Sequence, residues 1–197
     1  YRRQRQMCIR DRTTVNNGIF SLDGSLPNSP LFVMPGGTLV GNGSALSGNI
    51  GGLVSPGHSI GRLTFINNFT MAPTATYKAE IGAGGASDLI TVGTVASLDG
   101  TLNVVSVDPR RQLKGQTYII LTAGQHVSGT FANLTSTNRI KYTIEYLPNA
   151  IRIVTGNLQD LTHAFASSDR SNAAIMGRYL DSFDDTVPLG SDLDNVL

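Results

Sequence analysis

The chain has 197 residues, of which 40% are hydrophobic and 15% are charged, and it contains 22 glycines and no tryptophan. This length suffices for one domain with at most a small appendage, and the low charge and high apolar content exclude a disordered tail. The composition favours many short strands joined by tight turns.

The basic residues are concentrated in residues 1–12, "YRRQRQMCIRDR", which hold five arginines and one aspartate. The formal net charge of the whole chain is only +1, so the rest of the chain is net acidic. A basic arm for nucleic acid or anionic lipid is one interpretation of this block. However, "RQMCIRDR" resembles translated sequencing-adapter sequence. We therefore interpret residues 1–12 as a disordered artefact outside the fold and expect no nucleic-acid partner.

Cysteine and histidine are too few and too scattered for a metal or disulfide site. The one cysteine, Cys8, lies in the excluded block. His58, His126 and His163 share no metal-ligand spacing, and "GAGGAS" at 82–87 lacks the lysine of a phosphate loop. We expect neither a metal nor a cofactor.

Residues 13–35 contain Pro27, Pro30 and Pro35 and are interpreted as an irregular lead-in. Residues 36–156 then repeat a short unit, a glycine followed two positions later by an apolar residue, at 37–39, 61–63, 100–102 and 129–131. The glycine permits a tight corner, and the apolar side chain of the following strand points inward. Irregular spacing excludes a strict repeat and leaves a stacked β-solenoid open.

The motif Gly57-His58-Ser59-Ile60-Gly61 matches G-x-S-x-G, the nucleophile elbow of serine esterases. An elbow requires a helix after the serine, whereas "RLTFINNF" alternates and predicts a strand. Asp88 or Asp99 with His126 or His163 would complete a Ser-Asp-His order, but such an order arises easily by chance. We predict that Ser59 is a turn residue and that the protein is not an enzyme.

No window of ten residues in 36–156 shows helical periodicity without a Gly or Pro, which excludes an alternating βαβ sheet. Alternation in "KYTIEY" and "IRI" predicts strands at about 140–147 and 150–155, joined at Pro148-Asn149 as a β-hairpin. Residues 157–197 are interpreted as helical, with a helix from Ser168 or Asp169 to about Phe183. We expect the chain to continue beyond both ends.

The stretch "GTLVGNGSALSGNIGGLVSPGHSIGRLTFINNF" (37–69) closely resembles the end of autotransporter passenger domains, with "SPGHSIGRL" as its most specific part. Further matches follow in the order of that family: "ATYKAEI", "SDLITVGTVASLDGTLNVV", "GQTYIILTA" and "SGTFANL". "SNAAIMGRYLD" at 171–181 resembles the segment between passenger and membrane barrel. The resemblance covers about residues 36–197, although no barrel strands are present.

The resemblance implies an all-β fold: a right-handed parallel β-helix over 36–156 with a C-terminal capping β-hairpin, followed by a short helical linker over 157–197. It implies a non-catalytic folding nucleus (autochaperone) for type V secretion in a Gram-negative bacterium. The implied location is the cell surface or outer membrane, or the medium, after periplasmic transit. The implied partners are upstream passenger rungs and a downstream outer-membrane β-barrel in cis, with periplasmic chaperones and the barrel-assembly machinery.

The residues expected to matter are structural. They form corners or point inward, and they are Pro56, Gly57, Ser59, Gly61, Leu63, Phe65, Gly100, Leu102, Val104, Ile119, Leu121, Gly129, Phe131, Tyr142 and Ile144. Two rival functions stay open, a solitary β-solenoid that binds carbohydrate or adheres to surfaces, and a serine hydrolase that uses the GHSIG motif.

Overall fold

The structure is a computed structural model that describes residues 12–108, 115–138 and 140–158. Within these ranges the chain is all-β, and its strands form one sheet interrupted by a single turn of 3-10 helix at Ala83–Gly85. The strands are β1 (Thr13–Ser21), β2 (Ser25–Gly41), β3 (Ser44–Ile50), β4 (Leu53–Pro56), β5 (Arg62–Phe65), β6 (Phe69–Met71), β7 (Thr76–Ile81), β8 (Leu89–Val92), β9 (Val95–Leu98), β10 (Thr101–Ser106), β11 (Thr117–Ala123), β12 (His126–Gly129), β13 (Asn133–Ser136), β14 (Ile140–Leu147) and β15 (Ala150–Leu158). Among the described residues, no helix is long and apolar enough to span a membrane.

The strands stack in three columns, A, B and C. Neighbouring strands within a column are parallel as far as β13 in column A, β11 in column B and β12 in column C. Column A contains the ends of β1 and β2, then β4, β7, β10 and β13. Column B contains the start of β2, then β3, β5, β8 and β11. Column C contains the start of β1, the middle of β2, the end of β3, then β6, β9 and β12.

Each pass of the chain through columns B, C and A makes one rung. Ser25, Ser44, Thr64, Thr91 and Thr122 hold equivalent positions in successive rungs of column B. The β5 rung comprises β5, β6 and β7, and the β8 rung comprises β8, β9 and β10. A loop at 82–88 separates these two rungs. The glycine units in the sequence are irregularly spaced because they lie at different corners, with Gly61 before β5 of column B and Gly100 before β10 of column A.

Equivalent apolar residues of successive rungs lie above one another in the core. In column A, Leu39, Val54, Tyr77 and Leu102 are in register and fully buried. Burial of each such side chain contributes about 1.5–3 kcal/mol. Leu134 continues the row on β13, at the end of the column, where it is 38% exposed. The core therefore contains rows of residues stacked between rungs, together with contacts within a rung such as the Phe65–Phe69 pair, whose ring centroids lie 4.9 Å apart.

The predicted hairpin is present. β14 and β15 pair antiparallel from Leu147 and Ala150 onward, with Pro148 and Asn149 as the turn. β15 also pairs antiparallel with β11, so the hairpin covers the open end of column B. Since an uncovered strand edge exposes unpaired backbone groups, this pairing protects the end of the stack.

Residues 13–35, interpreted as irregular from their prolines, instead contain β1 and the first part of β2. Pro30 lies just outside the pairing of β1 with β2, which begins at Leu31, so its missing N–H leaves no gap in that ladder. Pro35 falls at the register shift between Val33 and Gly36. Proline is tolerated at such positions, which the sequence alone does not reveal.

The structure differs from the sequence-based expectation at Ile119 and at the end of β15. Ile119, expected to point inward, is 50% exposed, because it alternates with the buried Tyr118 and Ile120 on either side. The register shift between Ile119 and Leu121 accompanies burial of both Ile120 and Leu121. β15 runs to Leu158, two residues into the range assigned to the helical linker. The rest of that linker, including the helix expected over 168–183, lies outside the described residues.

Candidate functional site

The GHSIG motif forms the corner by which the chain leaves column A after β4 and enters column B at β5. We call residues 57–61 the corner. Gly57 has φ +78°, and it exchanges backbone hydrogen bonds with Gly41 of the rung above, with the Gly57 N–H donating at 2.7 Å. A Cβ on either Gly57 or Gly61 would come within 3.0 Å of the other glycine's backbone. The spacing of the two glycines therefore reflects two backbone segments in contact across the corner.

Gly61 is required for space and not for a left-handed φ. Its Cβ would also meet the side-chain oxygen of Asn42, which accepts a hydrogen bond from the Arg62 N–H at 3.0 Å. Asn42 occupies the equivalent corner one rung earlier, between β2 and β3. The absence of a side chain at Gly61 thus lets one rung bond to the backbone of the next.

Asp88 holds the corner from the other side. Its Oδ1 accepts a hydrogen bond from the Gly61 N–H at 2.8 Å, and its Oδ2 accepts one from the Glu80 N–H at 2.9 Å. The side chain is fully buried, and this burial raises the pKa of Asp88 to about 7, although the two N–H donors act in the opposite direction. From the sequence, Asp88 was considered as a possible member of a Ser-Asp-His set, and this contact between rungs was missed.

Ser59 lies at the tip of the corner and is exposed. The strand β5 follows it, as the sequence predicts, and not the helix of a nucleophile elbow. The neighbouring His58 places its Nε2 3.1 Å from both carboxylate oxygens of Asp23, and hydrogen bonds from Ser21 and His58 lower the pKa of Asp23. His58 and Asp23 are 61% and 52% exposed, so this pair is solvated.

Gly100 and Gly129 occupy a different corner, between columns C and A, before β10 and at the end of β12, with φ +75° and +73°. A Cβ on Gly100 would come within 3.0 Å of the Ala75 carbonyl oxygen, and one on Gly129 within 3.0 Å of the Leu98 carbonyl oxygen. Both glycines therefore combine a left-handed backbone with close approach to the rung above.

The remaining residues of the predicted set lie in or against the core. Pro56 ends β4 in a buried position, and Leu63, Phe65, Leu102, Val104 and Leu121 are fully buried. Phe131 is 7% exposed, and its N–H donates to the Tyr146 hydroxyl at 3.0 Å. Tyr142 is buried and bonds to Asn138, whereas Ile144 is only partly buried. The structure does not gather these residues into one site, because they are spread along the stack.

Two open hollows flank the corner. One, of about 420 Å³, includes Gly57, His58, Ser59, Lys78 and Glu80, and the other, of about 700 Å³, includes Gly61, Arg62, Gly84, Ser87 and Ile119. Among the described residues, no group of three or more His, Cys, Asp or Glu side chains could hold a metal ion. The contacts described at the corner are hydrogen bonds between backbone groups and hydrogen bonds from backbone N–H groups to the side chains of Asn42 and Asp88.

The amino-acid sequence is similar to that of a known bacterial protein. The chain is 27% identical over 191 residues to a protein of Serratia marcescens named extracellular serine protease, and the alignment covers 91% of this chain and 18% of that protein. The chain thus spans less than a fifth of the relative's length. No protein-family model matches the chain.

This relative contradicts the expectation that the protein is not an enzyme, because the relative is an enzyme by name. The physical reason for the error is that a sequence covering so small a part of a longer protein reports only on the chemistry of that part. The relative is also extracellular by name, which agrees with the expected location outside the cytoplasm.

Proposed function

We propose that this chain is a folding and support segment of a longer protein secreted by a Gram-negative bacterium, in the manner of an autotransporter passenger. Its three parallel columns are the faces of a right-handed parallel β-helix, and its C-terminal rungs are the folding nucleus. In this proposal the segment emerges first at the cell surface and templates the rungs that precede it in the chain.

The observation that carries the proposal is the continuous register of the three columns, closed at the C-terminal side by the β14–β15 hairpin. In a stack of rungs each rung is stabilised mainly by its neighbours, so a closed terminal rung is the natural place for folding to begin. The sequence resemblance over 36–197 and the extracellular relative support the same interpretation.

Fully buried Leu102 provides the test in the intact gene product displayed on cells. Leu102→Asp places an unpartnered charge in the core between Tyr77 and Leu134 of the same column. Because an unpaired buried charge costs several kcal/mol, we expect loss of surface display of the whole passenger. Asn103→Asp, with the same charge on the neighbouring, outward-facing position of β10, should be displayed normally. Display of Leu102→Asp at the level of Asn103→Asp would overturn the proposal.

The relative's name favours a second candidate, a serine hydrolase that uses Ser59. Ser59 is exposed beside the His58–Asp23 pair, and both residues of the His58–Ser59 dipeptide line the same 420 Å³ hollow. A fluorophosphonate probe tests this candidate directly. Labelling of the wild-type chain that disappears in Ser59→Ala would establish a nucleophile at the corner, and equal labelling of both would reject it.

A further inference from the structure

Asp88 is the one carboxylate that is buried among the described residues. It stands immediately before β8, so by its place in the chain it belongs to the β8 rung. Both of its hydrogen-bond donors, however, belong to the β5 rung: the Gly61 N–H lies at the beginning of that rung and the Glu80 N–H near its end. One carboxylate therefore joins the two ends of a single rung.

The N–H of Glu80 needs this acceptor. β7 pairs with β4 only at Thr76 and Tyr77, opposite Leu53 and Val54, and the last two residues of β4 have no pairing partner in β7. The Thr76 N–H donates to Gly52 on the β4 side, and the Glu80 N–H, four residues further along the strand, points to the same edge. Since β4 does not pair with that part of the edge, Asp88 supplies the acceptor that a paired strand would otherwise provide.

Asp88 is itself held in place by backbone contacts to the same two ends of the β5 rung. Its N–H donates to the Glu80 carbonyl oxygen at 2.8 Å, and an antiparallel bridge joins Ile81 to Ser87 across the 82–88 loop. The Leu89 N–H donates to the Gly61 carbonyl oxygen at 2.9 Å. The carboxylate is thus a fixed acceptor once the loop and the start of β8 have formed.

We propose that Asp88 is a clasp that closes the β5 rung, so that this rung and the corner become stable only after the β8 rung has formed. The clasp is a contact between distant parts of the chain, since Gly61 lies 27 residues before Asp88. The consequence for the order of folding rests on the proposed function, whereas the clasp itself does not. Asp88 positions the backbone of the β5 rung. The order in which these rungs become stable therefore runs from the C-terminal rung to the N-terminal one.

Amide hydrogen exchange on the purified full-length chain tests the clasp. In Asp88→Ala we expect exchange at Gly61, Glu80 and the corner to accelerate by at least about tenfold, while β11 and β15 keep wild-type protection. Asp99→Ala is the matched control, because the Asp99 carboxylate accepts a hydrogen bond only one residue away, from Gly100 at 2.7 Å. Its effect should stay at Gly100. Unchanged exchange at Gly61 and Glu80 in Asp88→Ala, or equal acceleration throughout the chain, would overturn the proposal.

Asp88→Asn provides a second variant in case Asp88→Ala does not fold. In Asp88 each carboxylate oxygen accepts from a different N–H, Oδ1 from Gly61 and Oδ2 from Glu80. Asparagine replaces one of these oxygens with an NH₂ donor that faces an N–H donor, so in the same position it keeps only one of the two hydrogen bonds. We expect faster exchange at one of these two amides and near wild-type exchange at the other. Wild-type exchange at both amides would refute the clasp.

The outcome is separable from that of the surface-display experiment. Exchange is measured on isolated protein without a membrane, so it reports the clasp whether or not the segment supports secretion. A local exchange effect together with normal display of Leu102→Asp would retain the clasp and reject the folding nucleus.

Discussion

Replacing Gly61 with alanine isolates the steric requirement at the corner. The φ of Gly61 is not in the left-handed region, so the alanine backbone is unstrained. The new Cβ would, however, lie within 3.0 Å of the Asn42 side-chain oxygen and of the Gly57 backbone. The Asn42 amide and the corner backbone must therefore move apart.

The expected cost can be assembled from these contacts. Forcing a methyl group into a filled space costs about 1–3 kcal/mol, and loss of the Asn42–Arg62 hydrogen bond costs about 0.5–1.5 kcal/mol. The reduced freedom of the unfolded chain offsets about 0.4–1 kcal/mol. We expect Gly61→Ala to lower the free energy of unfolding by about 2 kcal/mol, measured by urea denaturation of the full chain followed by circular dichroism.

Gly24→Ala is the control, because nothing lies within 4 Å of a Cβ at Gly24 and its φ is also outside the left-handed region. It should leave stability unchanged or raise it slightly. In an Asn42→Ala background the cost of Gly61→Ala should fall by about 1 kcal/mol, because the bond to Arg62 is already absent. A Gly61→Ala chain within about 0.5 kcal/mol of wild type would refute the steric account of the motif.

Three further predictions concern the stack and its ends. Leu102→Ala should lower the free energy of unfolding by about 2–5 kcal/mol, whereas Leu134→Ala, at the half-exposed end of the same row, should cost less than half as much in the same urea titration. Burial raises the pKa of Asp88 to about 7, so folding favours its protonated form, and this contribution to stability is present below about pH 4 and lost as the pH rises through 7. Unfolding measured between pH 4 and 8 should show that slope in wild type and not in Asp88→Asn; parallel profiles would contradict it. Glu145→Ala removes the ion pair with Arg152 on the hairpin, in which both side chains are 40% exposed. It should change the free energy of unfolding by less than about 1 kcal/mol, because solvent screens exposed ion pairs. A larger loss would show that the pair is screened less than its exposure implies.

Sequence reasoning located the elements whose signals are local. Alternation in "KYTIEY" and the Pro148-Asn149 turn gave the β14–β15 hairpin, and the alternating residues after Gly61 gave a strand where a hydrolase would have a helix. The inward positions of Leu63 and Leu102 follow from the same two-residue period. These features depend only on neighbours in the chain, so the sequence by itself determines them.

Contacts between rungs were decided only by the tertiary structure. β2 tolerates Pro30 because its pairing with β1 begins at Leu31, and it tolerates Pro35 because the register shifts between Val33 and Gly36. Neither feature can be recognised from the residues that surround these prolines in the sequence. The register shift in β11, where Ile120 and Leu121 are both buried, lies in its pairing with β15, about thirty residues away along the chain. Asp88 resembles any aspartate beside a glycine-rich turn, yet its two donors lie 8 and 27 residues earlier. A carboxylate acquires such a role only when stacking brings distant backbone N–H groups to it, because hydrogen bonds depend on separation in space and not on separation in sequence.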